Sequence, residues 1–394
     1  MVHVHGFFLS LTSLLLLPLL SGTSASTSAP LKIIVMAGQS NMVGHGYAEG
    51  SNLHWDPSVP AGQCGGTVGG CVVSRPNLPP NLNGSLLTPE FAFLRDKGNT
   101  TWTTHENVWV VYNESADDSG LPSFPTPGPN GGYWHGALSV GYGGDHKGLD
   151  IDGRTNHTEV GPELGFGWTL GDALKVKGEQ QVLLIKTAWG GKTIDIDFRP
   201  PSSAAANKTG PPVGPYYTWM VNEVKDTLSK LKTFFPTTYP GSYEIAGFVW
   251  HQGWNDACRA GGANPDNYEF DLANLIRDLR KDLKAPDMKA IVGTSGMCGF
   301  ANTSKYPQNE GYQHCAGACA TLDNLIIPAQ LAVGNVTKYP EFAGNVASVE
   351  LRSFHFDMEE SSGNQCYHWN NNAKSYWLAG KAMADAFLQL EHVH

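Results

Sequence analysis

The sequence predicts an α/β fold, a central parallel sheet covered by helices on both faces. Two observations carry this. Apolar, β-branched runs recur at 31–37, 108–112, 182–187, 244–250, 289–294 and 346–351. Such unbroken runs suit strands buried on both faces. Amphipathic patterns lie between or after them, at 162–177, 222–234, 268–283 and 373–390. In the third of these, Leu272, Leu275, Ile276, Leu279 and Leu283 keep the three/four spacing of one helical face. Alternating strands and helices give a parallel sheet with helices on either side. Residues 44–105 and 113–160 break the rhythm, being rich in Gly, Pro, Asn and Asp. Their aromatic and histidine content, including Trp134, His135, Tyr142 and His146, predicts ordered loops above the sheet.

Composition narrows the class. The 394 residues are 41% hydrophobic and 16% charged, with 46 Gly and 25 Pro, a globular and loop-rich profile. The formal net charge of −10 argues against nucleic acid and anionic membranes as partners. Residues 7–20 are almost continuously apolar and are followed by small residues to Ser26. This run is short for a membrane span and reads as a secretory signal over 1–25, with 26–394 as one domain. The alternative is an N-terminal anchor. Sequons at Asn83, Asn99, Asn113, Asn156, Asn207, Asn302 and Asn335 fit a secreted, extracellular glycoprotein with no membrane contact after cleavage. The seven cysteines are Cys64, Cys71, Cys258, Cys298, Cys315, Cys319 and Cys366, and most should pair in an oxidising compartment. Cys64 with Cys71 closes a glycine-rich loop, though other pairings stay open. His314, Cys315 and Cys319 offer a weaker zinc reading, since no second Cys/His pair lies nearby.

Four segments carry chemistry. In Met36-Ala37-Gly38-Gln39-Ser40-Asn41-Met42, a buried strand ends in Gly-x-Ser. That puts a hydroxyl at the edge where open α/β sheets bind ligands, with free backbone N–H groups beside it. The same serine read alone is an ordinary helix cap. Thr187-Ala188-Trp189-Gly190-Gly191 follows another strand, and its paired glycines let backbone N–H groups approach a developing oxyanion or simply form a turn. His251-Gln252-Gly253-Trp254-Asn255-Asp256 ends a third strand. There Gln252 or Asn255 offers an amide donor, and Asp256 either caps a helix or orients a histidine. Cys366-Tyr367-His368 precedes the last helix, and His368 is the candidate general base, though a histidine between aromatic residues is more often simply packed. His251, His355 and His146 are alternative bases.

Together these segments resemble the SGNH-hydrolase superfamily, and within it the sialate O-acetylesterase / carbohydrate esterase family 6 group. Gly38-Gln39-Ser40-Asn41-Met42 matches the nucleophile block, Gly190-Gly191 the glycine block, and His251-Gln252-Gly253 with Asn255-Asp256 the third block. His368 matches the terminal histidine block, and the likeness spans roughly residues 31 to 391. The resemblance implies a three-layer α/β/α, flavodoxin-like fold with about five parallel strands. It also implies a serine esterase removing acetyl groups from carbohydrate, with Ser40 as nucleophile and His368 as base. The oxyanion donors would be the N–H of Ser40, of Gly190 or Gly191, and the amide of Gln252 or Asn255. No metal or organic cofactor is called for. Two positions depart from the pattern. Gln365 stands where the superfamily has Asp, and Trp254 where the group often has Glu. The third triad member is therefore open: Asp256 first, then Glu350 or Asp357, or a dyad without a carboxylate. The missing Asp also admits a non-catalytic carbohydrate-binding protein on the same scaffold, and a lipase-like or aryl esterase is the second enzymatic alternative.

Overall fold

The computed structural model describes Met1 and residues 29–60, 71–75, 77–113, 133–144, 158–176, 181–300, 315 and 317–392. Apart from Met1, the expected signal segment falls outside these residues, as do Cys64, His146, His314 and the sequons at Asn156 and Asn302.

Seven strands form the main sheet. They are β1 (Leu31–Gly38), β2 (His105–Asn113), β3 (Tyr133–Leu138), β4 (Val182–Ala188), β5 (Tyr243–His251), β6 (Lys289–Gly293) and β7 (Val346–Val349). Their order is β7-β6-β5-β1-β4-β2-β3. All six apolar runs seen in the sequence are strands, and their pairings are parallel. The sheet is wider than the expected five strands. The strand that no apolar run announces, β3, pairs antiparallel with β2 at the sheet's edge. Its sequence, Tyr-Trp-His-Gly-Ala-Leu, is only partly buried, so it lacks the continuous apolar signal of the central strands. Part of the expected aromatic loop is therefore sheet.

The helices follow the periodicity. We number α1 (Ser40–Val43), α2 (Pro162–Val176), α3 (Pro215–Ser229), α4 (Trp254–Ala257), α5 (Tyr268–Asp282), α6 (Ile327–Val333) and α7 (Ala373–His392). The helix expected at 222–234 begins earlier, with Pro215 in its first turn, where a missing N–H costs nothing. Helices α2 and α7 pack on each other and on β2, β4, β6 and β7, while α3 covers β4 and α6 covers β6 and β7. Strand β1 lies between β4 and β5 and is apolar on both faces, with Ile33, Ile34, Val35, Met36 and Ala37 fully buried. Because β1, β4 and β5 are parallel, their C-terminal ends share one edge. The chain leaves β1 towards the β2 side of the sheet and leaves β5 towards the β6 side, the kind of switch point at which open α/β sheets bind ligands.

Two short antiparallel ladders lie outside this sheet: Gly46–Tyr47 with Glu159–Val160, and Leu53–Asp56 with Cys71–Ser74. Disulfides join Cys258 to Cys315 and Cys298 to Cys319. These bonds remove both cysteines of the zinc reading. Among the described residues no group of three or more His, Cys, Asp or Glu could hold a metal ion, and no helix is long and apolar enough to cross a membrane.

Candidate active site

The turn that carries Ser40 leaves β1 through Gly38. A side chain there would meet the His251 carbonyl oxygen at 2.0 Å, so only glycine lets β1 and β5 end so close together. Ser40 opens α1, 8% exposed, at the central strand's end. The preceding residue, Gln39, joins the turns. Its Oε1 accepts from the backbone N–H of Gly253 (3.1 Å) and of Asn255 (3.2 Å), and its Nε2 donates to Asn255 Oδ1 (3.0 Å).

That last bond fixes the Asn255 amide. With Oδ1 occupied, Nδ2 is the free donor end, and one of its hydrogens goes to the Gly191 carbonyl (3.0 Å). Gly191 takes a left-handed φ of 72°, which turns its carbonyl towards that donor. A Cβ on Gly190 would lie 3.9 Å from the Ser40 Cβ. The structure thus brings Ser40, Gly190, Gly191 and Asn255 together. Asn255 keeps one N–H for a ligand, the arrangement an oxyanion hole needs.

Gln252 is different, and the expectation that it donates to an oxyanion is corrected here. It is buried, and its Nε2 serves Gln39 Oε1 (3.1 Å), the Lys192 carbonyl (2.9 Å) and Asp256 Oδ2 (2.5 Å). Two hydrogens shared among three acceptors leave none for substrate.

Asp256 is likewise not the partner of His368. Its carboxylate accepts from the backbone N–H of Ile194 (3.0 and 3.1 Å) and of Asp195 (3.2 Å). It pins the turn after β4 to the turn after β5. Burial pushes its carboxyl up to about 7, against the hydrogen bonds from Gln252, Ile194 and Asp195, which favour the charged form. The other two acid candidates are also engaged elsewhere. Glu350 binds Arg352 and Thr294, and Asp357 Oδ1 lies 3.2 Å from His355 Nε2.

His368 sits on a tight turn, Cys366–Asn371, before α7. Three consecutive non-glycine residues there, Trp369, Asn370 and Asn371, are left-handed, with φ of 55°, 53° and 54°. Asn tolerates this conformation, whereas Trp is held in it by complete burial. Asn41, next to Ser40, donates through Nδ2 to the carbonyl of Tyr367, next to His368, at 2.8 Å. Tyr376 of α7 donates to Asn41 Oδ1 (2.8 Å) and reaches the His368 carbonyl (3.4 Å). Ser40 and His368 are thus each one residue from a shared hydrogen bond. Among the described residues no hydrogen bond joins the Ser40 hydroxyl to the His368 ring; such pairs tighten on substrate binding.

Two partners of His368 escape sequence reasoning. Its Nδ1 lies 2.8 Å from Gln365 Oε1, and its ring stacks on His45, centroids 4.1 Å apart. His45 Nδ1 in turn lies 3.6 Å from the Glu159 carboxylate. Nothing in the sequence marks His45 beyond its nearness to Ser40, and Glu159 arrives through a short ladder no pattern announces. Burial, and then the neighbouring His45, hold the His368 imidazole well below the ordinary histidine range. The alternative base His251 is buried, lies 3.4 Å from the Gly293 carbonyl, and is held down at about 4 by burial. His355 lies 2.8 Å from the Met297 carbonyl and pairs with Asp357.

Residues 143–322 match the family model described as "Carbohydrate esterase, sialic acid-specific acetylesterase". The stretch takes in Gly190, Gly191, Gln252, Asn255 and Asp256, but neither Ser40 nor His368. Among curated proteins no sequence matches this chain. Similar solved structures include a protein from Arabidopsis thaliana, 16% identical, TM-score 0.46, covering 92% of this chain and 99% of that one. NanS is 14% identical with TM-score 0.46, covering 93% and 99%. A carbohydrate acetylesterase from Xanthomonas citri is 12% identical with TM-score 0.39, covering 90% and 56%. The sequence similarity to the carbohydrate esterase, sialic acid-specific acetylesterase family thus lies in residues 143–322, less than half of the chain.

Proposed function

We propose that this protein is a secreted serine esterase that hydrolyses O-acetyl esters on carbohydrate, with Ser40 as nucleophile and His368 as general base. The observation that carries the reading is the convergence of Ser40, Gly190 and the oriented Asn255 amide at the end of β1. In the mechanism, His368 takes the Ser40 hydroxyl proton as Oγ attacks the acetyl carbonyl. The resulting oxyanion is met by the N–H groups of Ser40 and Gly190 and by the second hydrogen of Asn255 Nδ2. His368 returns the proton to the departing sugar oxygen, and water then repeats the cycle on the acetyl-enzyme.

Secretion draws support from the disulfides and from the exposure of the sequon residues Asn83, Asn99, Asn207 and Asn335. The test is acetate release from acetylated xylan, pectin and sialic acids, with a long-chain ester for comparison. Release of acetate from at least one glycan, lost in Ser40→Ala, is the expected result. Glycan binding without turnover would instead favour the carbohydrate-binding alternative, and preference for the long-chain ester a lipase-like one.

A further inference from the structure

Position 365 lacks the carboxylate of an ordinary triad, yet His368 Nδ1 has a built partner there. The donors and acceptors around it can be assigned from one end. The carbonyl of His45 can only accept, so the Asn371 atom 3.0 Å from it is the amide nitrogen, Nδ2. The same Nδ2 lies 3.1 Å from the Gln365 side chain, so the Gln365 atom there is its oxygen, Oε1. That oxygen is 2.8 Å from His368 Nδ1. An oxygen acceptor requires a hydrogen on Nδ1. Asn371 Oδ1 closes the loop by accepting from the Gln365 backbone N–H at 3.4 Å, and the Gln365 carbonyl accepts from the N–H of His368 (2.7 Å) and of Asn370 (2.9 Å).

We propose that Gln365 is the positioning residue of His368, a neutral amide that fixes the imidazole as the Nδ1–H tautomer and leaves Nε2 as the basic nitrogen. Its catalytic consequence rests on the esterase reading above; the tautomer assignment does not. During attack, the Ser40 proton moves to Nε2, the Nδ1–H bond to Gln365 stays intact, and no proton passes to the amide.

The amide orients as a triad carboxylate does, but adds no negative charge to steady the imidazolium. The titratable or charged groups around the ring are His45 in the stack, Tyr367 at 4.2 Å, Tyr376 at the His368 carbonyl, and Glu159 beyond His45. His355 and Asp357 flank the turn's other side, where Asn370 donates to the Phe356 carbonyl, and they engage each other. Among the described residues, Glu159 is the one carboxylate on the histidine stack, and it faces His45.

Two measurements on the full-length protein test this. In ¹⁵N–¹H correlation spectra, the His368 ring, identified by its loss in His368→Ala, should show a protonated Nδ1 and a bare Nε2 at neutral pH. A protonated Nε2, or a tautomer mixture, overturns the proposal whether or not the protein is an esterase. The second reads pH profiles of fluorophosphonate labelling at Ser40 and of acetyl-ester turnover. Gln365→Leu should lower kcat on the order of 10²-fold with KM little changed. Gln365→Glu should restore turnover and move the acid limb of kcat/KM upward by about one pH unit, since a carboxylate stabilises the imidazolium. Wild-type kcat in the Leu variant, or an unmoved acid limb in the Glu variant, overturns the assignment. A wild-type protein that shows the expected tautomer but neither reaction would sink the esterase reading alone.

Discussion

The two walls of the candidate site are held in different ways. The oxyanion wall is made of strand ends. Gln39, Gln252 and Asp256 are buried there and spend their hydrogen-bonding groups on the backbone of neighbouring turns, so Gly190, Gly191 and Asn255 sit where the sheet puts them. The base wall is a single turn outside the sheet, with three left-handed residues in a row, tied down by Asn41, Tyr376, Gln365 and Asn371. In the proposed mechanism, charge stabilisation thus falls to the sheet-anchored part of the fold. In the same mechanism, proton transfer falls to a turn whose geometry depends on a few side-chain bonds.

The comparison can be broken most directly at the reacting atoms. Ser40→Ala should lower turnover on the order of 10⁵- to 10⁶-fold with the fold intact, and fluorophosphonate should label no other serine. His368→Ala should lose a similar factor, and the double variant should be little worse than either single one, because nucleophile and base act as a unit. Additive losses, read in the same assay, would mean that His368 works apart from Ser40. The pH profile sharpens the point. A depressed imidazole stays neutral, and therefore basic, as pH falls, so the acid limb of kcat/KM should lie below about 6.5, the usual histidine value. A limb at or above that value would contradict burial as the dominant influence.

Smaller effects separate donor from scaffold on the rigid wall. Asn255→Ala should cost on the order of 10²- to 10³-fold in kcat, the loss typical of one oxyanion donor, with the melting temperature nearly unchanged. Asp256→Asn should do the reverse. An amide cannot accept with both ends, so the bonds to Ile194 and Asp195 are impaired and stability falls by about 1–3 kcal/mol in a denaturant titration. The folded fraction should keep most of its turnover. If Asp256→Asn instead folds normally and loses turnover outright, it belongs with the reacting groups after all.

The same division explains what was legible in the sequence. Central strands advertise themselves because burial on both faces demands unbroken apolar runs, and Gly38-Gln39-Ser40 lies at the end of one. The edge strand β3, half exposed and interrupted by Gly136, carries no such demand and was hidden in a loop-like composition. In the site, residue type was readable but hydrogen-bond allocation was not. Asp256 and Gln252 have the right chemistry beside the right turn, and only the fold reveals that neighbouring backbone already consumes it. At position 365 the error ran the other way. An amide in place of Asp reads as a vacancy when charge is the criterion, yet its oxygen reaches Nδ1 as a carboxylate would. His45 and Glu159 lie far from His368 in sequence, and no local pattern records a ring stack.

The two disulfides among the described residues bear on how the protein is made. Cys258 directly follows α4, which carries Asn255 and Asp256, and Cys298 lies in the turn after β6. Their partners, Cys315 and Cys319, fall close together, so one short downstream segment is riveted to two strand-end turns. None of the seven strands of the main sheet contributes a cysteine to either bond. Material produced in a reducing cytosol should therefore form the sheet yet leave the end of α4 unanchored. Two preparations of identical sequence should then differ in turnover according to the redox history of the host, and an oxidising refolding step should bring the slower one up to the faster.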